Sequence, residues 1–213
     1  MISSGVTDFQ PDLFRAYATM SWNHNVHYHG FVMSQIPPGC GRALDVGCGL
    51  GAMARKLAGS CREVVAIDAD QGCVERARES TSGRPNITFV VGDVLTEPFQ
   101  AGSFDFVTVV AALHHLPLRD ALIRFRDLLS PGGVLVIVGL YRIATPVDYL
   151  VSAIALPISW VMRLSRGEEE VGAPLQSPRE TLGAIDEQCK SVLPGAVLRR
   201  RLFFRYSVVW RKR

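Results

Sequence analysis

The chain has 213 residues and 48% hydrophobic content, enough to bury one substantial core and short for two ordinary domains, so a single domain over residues 1–213 is expected. Its formal net charge is +3, yet Arg199, Arg200, Arg201, Arg205, Arg211, Lys212 and Arg213 leave the remainder net negative, which argues against a broad nucleic-acid footprint. The five cysteines contain no C-x-x-C pair, so neither a disulfide framework nor a zinc knuckle is suggested, and Met1 to Asp12 lacks the basic-then-apolar order of a secretory signal; a reducing, cytoplasmic location is expected.

In chain order, residues 10–36 look helical and end at Pro37-Pro38-Gly39, which makes them a cap over the sheet edge or the mouth of a ligand site. This cap carries Trp22-Asn23-His24-Asn25-Val26-His27-Tyr28-His29, the chain's densest run of hydrogen-bonding side chains. On a helix His24 and His27 share a face, but His29 lies about 140° from His24 and about 200° from His27. Three ligands would not converge and no carboxylate joins them, so a lid over a cofactor or substrate is favoured over a metal site.

Short apolar runs then alternate with helical patterns, the signature of βαβ units and a mostly parallel sheet. Strands are predicted at 43–46, 64–68, 87–91, 104–110 and 134–140, with helices near 51–58, 71–80 and 119–129, and Pro131-Gly132-Gly133 as a turn before the fifth strand. Residues 141–178 break the alternation. Their apolar run from Val147 to Met162 is shorter than about 18 residues and holds Asp148 and Pro157, which favours a lid over a membrane span and argues against membrane insertion. Residues 179–213 are predicted to hold a C-terminal helix and two strands, near 196–202 and 205–210, whose basic residues read as a solvated face.

The chemistry is concentrated in Leu44-Asp45-Val46-Gly47-Cys48-Gly49-Leu50-Gly51, a strand, a tight loop and a helix start. Glycines there let the backbone turn sharply and approach a nucleotide-like ligand. Gly47-x-Gly49-x-x-Ala52 also fits a dinucleotide fingerprint, but Asp45 would repel a pyrophosphate and accept a ligand bearing ammonium and sulfonium groups. With Asp45, Gly47, Gly49 and Gly51 matching an acid-x-Gly-x-Gly-x-Gly loop, the chain resembles the class I S-adenosylmethionine-dependent methyltransferases of the small bacterial type.

The resemblance implies a doubly wound, mostly parallel, Rossmann-like seven-stranded sheet ending in an antiparallel hairpin, where NAD-binding folds continue in parallel. It implies an S-adenosylmethionine site built from Asp45, Gly47, Cys48, Gly49 and Gly51; from Asp68, which would accept the ribose hydroxyls, with Ala69 beside it; from Gly92, Asp93 and Val94, where Asp93 would accept from the adenine amino group and Val94 cover the ring; from Ala111; and from His24 and Asn25 in the closing cap. After the fourth strand Ala111-Ala112-Leu113-His114-His115 replaces the Asn/Asp-Pro-Pro-aromatic sequence of base methylating enzymes, which excludes that subfamily. His114 or His115 would serve as general base for a hydroxyl acceptor if its pKa lies near neutrality. The apolar residues of the 141–178 lid point to a small, fairly apolar acceptor. A non-catalytic binding module, a nicotinamide-dependent oxidoreductase and a peripheral membrane protein stay open as alternatives.

Overall fold

Strands β1 (Arg42–Val46), β2 (Glu63–Asp68), β3 (Ile87–Val91), β4 (Phe104–Val110), β5 (Leu129–Leu140), β6 (Val197–Arg201) and β7 (Arg205–Arg211) form one sheet in the order β3-β2-β1-β4-β5-β7-β6. The computed structural model describes residues 27–145, 178–202 and 205–213. His24, Asn25 and most of the 10–36 cap, the 146–177 part of the lid, and Phe203 and Phe204 lie outside the described residues.

The apolar runs become strands because the sheet is covered on both faces, so neighbouring residues along one strand enter different cores. In β5, Leu135 and Ile137 join one core while Val134, Val136 and Val138 join the other. Helices α1 (His29–Met33), α2 (Ala52–Leu57) and α3 (Gln71–Glu79) cover the second face. Helices α4 (Leu118–Leu128) and α5 (Leu182–Val192) cover the first. Two helix starts are fixed by side chains: Asp70 Oδ1 accepts from the Cys73 N–H at 2.8 Å, and Thr181 Oγ1 accepts from the Ala184 N–H at 3.3 Å.

β1 to β5 run parallel, whereas β7 inserts antiparallel between β5 and β6. This is the expected C-terminal hairpin. The strand order reverses between β1 and β4, so a crevice opens beyond their carboxyl ends. One boundary differs from expectation: β5 starts at Leu129 rather than Val134. Leu129 pairs with Phe104 across a bulge, and Pro131-Gly132-Gly133 is held in the sheet by 2.9 Å bonds exchanged with Lys212. Gly132, at φ +77°, supplies the turn inside the strand.

Phe125 of α4 is fully buried in the first core. Phe125→Ala should cost about 3–5 kcal/mol, read as a lower denaturant midpoint at unchanged slope.

Candidate functional site

Four loops meet at the carboxyl edge of the sheet. After β1, Gly47, Gly49 and Gly51 all take left-handed φ values of +69°, +49° and +77°. Two of them are also packed: a Cβ on Gly47 would lie 2.3 Å from the Ala112 Cβ, and one on Gly51 would lie 3.0 Å from the Phe89 ring. Gly49 faces open space, with no atom within 4 Å of such a Cβ. The loop continues the pairing of β1, since the Gly47 and Cys48 N–H groups both donate to the Ile67 carbonyl.

Asp68 ends β2 and ties the loops together. Its Oδ2 accepts from the Gly49 N–H at 2.8 Å and its Oδ1 from the Asp70 N–H at 3.0 Å, beside the exposed Ala69. Its carbonyl accepts from the Gly92 N–H at 2.9 Å, which adds the loop after β3. There the exposed Asp93 folds back, its Oδ1 accepting from the Leu95 N–H at 2.9 Å. Val94 is only 4% exposed and packs in the first core. Sequence reading missed Glu97: a Cβ on Gly92 would lie 2.7 Å from its Oε2, and no motif marks it.

Asp45 lies under this assembly. It is 2% exposed and sits in register between Ala66 of β2 and Thr108 of β4. Its Oδ2 is buried without a hydrogen-bond partner. Burial pushes its pKa up to about 7, against a hydrogen bond from the Ala54 backbone and with a further upward push from the Asp68 charge. The charge assumed from the sequence is therefore one that the site modulates near neutral pH.

After β4, Ala111 has φ +55°, the one positive-φ non-glycine among the described residues, and its N–H donates to the Val138 carbonyl at 2.7 Å. Such strain gathers at working sites. The Leu113–His115 turn follows, with the His114 and His115 ring centroids 4.1 Å apart. His114 Nδ1 is buried without a partner, and burial, with contributions from His115 and Arg205, drives the His114 pKa down to about 3. The expectation of a near-neutral His114 is thus corrected: burial disfavours its cation. Both histidines line a cavity of about 250 Å³, with Leu118 and Leu140 as apolar wall and Arg179 and Tyr206 as polar wall. Nothing in the sequence placed Arg179 there.

An unpartnered buried carboxylate oxygen, an open glycine above the crevice and the Asp68 and Asp93 carboxylates at its rim form an acceptor set that suits a nucleoside with a cationic tail. Among the described residues, no three His, Cys, Asp or Glu side chains converge, and no helix is long and apolar enough to cross a membrane.

Residues 44–137 match the family model for a methyltransferase domain. An uncharacterised methyltransferase of Mycobacterium tuberculosis is 35% identical over 196 residues, covering 89% of this chain and 96% of that protein. A demethylmenaquinone methyltransferase of Staphylococcus aureus is 37% identical over 101 residues, 45% of this chain and 41% of its own length. The crystal structure of an S-adenosylmethionine-dependent methyltransferase from Methanosarcina mazei superposes with a TM-score of 0.61 at 16% identity, covering 85% of this chain and 96% of that one, a likeness of fold.

Two outcomes follow from this geometry. Gly49→Ala should cost about 1–2 kcal/mol from backbone conformation alone, and Gly47→Ala clearly more because it also meets Ala112, as compared by chemical denaturation. Asp45, with its folded-state pKa raised above its ordinary 3.8, contributes stability that is full below about pH 4 and is lost as pH rises through about 7. The stability of Asp45→Asn relative to the parent protein should therefore climb across that window and level off above it; a pH-independent difference would contradict the burial argument.

Proposed function

This chain belongs to the class I methyltransferases, and from that premise we propose that it transfers a methyl group from S-adenosylmethionine to a small acceptor with an apolar body and a polar reacting atom. The observation that carries the reading is Asp45, whose unpartnered oxygen lies buried beneath three left-handed glycines where the strand order reverses. A ligand ammonium would supply the missing partner and hold Asp45 ionised. Asp68, already anchored to two loops through backbone N–H groups, keeps acceptor capacity for ribose hydroxyls, and the exposed Asp93 keeps it for an adenine amino group. Cys48, Gly92, Val94 and Ala111 shape the crevice through their backbone, and His24 and Asn25, outside the described residues, belong to the proposed cap over it.

The cofactor, when bound, supplies a methyl group on a positively charged sulfur. This chain's residues have to exclude water and align the acceptor. The cavity beside His114 and His115 is the acceptor site in this reading, its Leu113, Leu118 and Leu140 wall taking the apolar part. His114, held neutral by burial, accepts a hydrogen bond at its unpartnered Nδ1 from a hydroxyl or amine of the acceptor. An apolar acceptor also agrees with the printed name of the S. aureus relative. The net negative charge outside the C-terminal tail supports the absence of a nucleic-acid partner, and five buried free cysteines suit a reducing, cytoplasmic setting.

Calorimetry with S-adenosylhomocysteine should show binding that is tightest above about pH 7 and weakens by up to tenfold per unit below it, because protonated Asp45 cannot pair with the ligand's ammonium. Asp45→Asn should weaken binding roughly tenfold or more and flatten the profile. Preference for NADH, or turnover confined to charged acceptors, would overturn the reading.

A further inference from the structure

Cys40 and Cys61 stand at the end of the sheet opposite the glycine loop, each two positions before Arg42 and Glu63, the registered pair that opens the β1–β2 ladder. The pairing runs on past that point: the Cys40 carbonyl accepts from the Arg62 N–H at 3.3 Å, and the Gly41 carbonyl accepts from the Glu63 N–H at 2.9 Å. Neighbouring strands lie about 4.8 Å apart, within the roughly 4.4–6.8 Å between Cα atoms that a disulfide spans. Both side chains enter the same core, with Cys40 4% and Cys61 5% exposed. Their cover is thin, since Pro38, Gly39, Gly59 and Ser60 beside them are exposed. We propose that Cys40 and Cys61 are a modification site, closing to an intramolecular disulfide when the chain meets a disulfide oxidant such as oxidised glutathione.

The order of steps follows from the two thiols. The interaction between the two thiols lowers the Cys61 pKa against burial and the charge of Asp105, and together with burial it raises Cys40. The Cys61 thiolate attacks one sulfur of oxidised glutathione and expels a glutathione thiolate. Cys40 then loses its proton, attacks the Cys61 sulfur and expels the second glutathione thiolate. Two protein thiols are oxidised to one disulfide, and one glutathione disulfide is reduced to two thiols. The closed loop encloses residues 41–60, the unit that carries Gly47, Gly49 and Gly51.

The full-length chain, incubated with oxidised glutathione, should lose two hydrogens in intact mass and fall from five free thiols to three. Tryptic mapping should join the peptide ending at Arg42 to the one ending at Arg62, and the oxidised form should melt roughly 5–10 °C higher. In Cys40→Ser the reaction should stop at a glutathione adduct on Cys61, with no rise in melting temperature. Five surviving thiols, a lasting adduct on Cys61 in the parent chain, or a bridge through Cys48, Cys73 or Cys189 would each overturn the assignment.

Discussion

The site depends on one carboxylate held out of water. Asp45 is fixed in place by the ladder, because its register with Ala66 and Thr108 leaves it no route to the surface without breaking the pairing of the central strand. Thr108 Oγ1 is also buried without a partner, on the same face and in direct register. Two such oxygens side by side are a cost that a fold optimised for stability alone would remove by apolar replacement. In the proposed reading a ligand cation would satisfy them, and the rise of the Asp45 pKa toward neutrality comes from burial that leaves its charge poorly solvated.

Around that carboxylate the loops are mutually dependent. Asp68 uses both carboxylate oxygens and its carbonyl to hold the loops after β1, β2 and β3, so the acid that faces the crevice is already oriented by its own backbone contacts. The loop after β4 joins by shape: Ala112 occupies the space that a side chain on Gly47 would take. Displacing one loop therefore disturbs its neighbours, which is how a crevice made of loop residues keeps a defined form.

Much of this was legible in the sequence, for a physical reason. Strands buried on both faces must be largely apolar, and positions that need left-handed backbone beside a ligand must be glycine, so β1, β2 and β4 and the Gly47-Gly49-Gly51 loop announce themselves. What the sequence hid was set by tertiary pairing. The early start of β5 depends on Phe104 meeting Leu129, and the burial of Asp45 and His114 depends on what packs over them. Ala111 takes a conformation that its side chain disfavours, so its letter carries no signal. Cys40 and Cys61 are far apart along the chain and become neighbours only through the register of β1 and β2.

The chemistry left to His114 narrows the mechanism. A group whose conjugate acid has a pKa of about 3 is neutral at any physiological pH, yet it gives little driving force for taking a proton from a hydroxyl whose own pKa is far higher. A neutral imidazole with one unpartnered nitrogen can still accept a hydrogen bond and fix the direction of a lone pair. In the proposed reaction alignment along the bond being broken would govern transfer, so holding that direction in a cavity with apolar walls would be the larger contribution. The adjacent His115 is exposed, its ring centroid 4.1 Å from that of His114, so burial sets His114 apart from its neighbour.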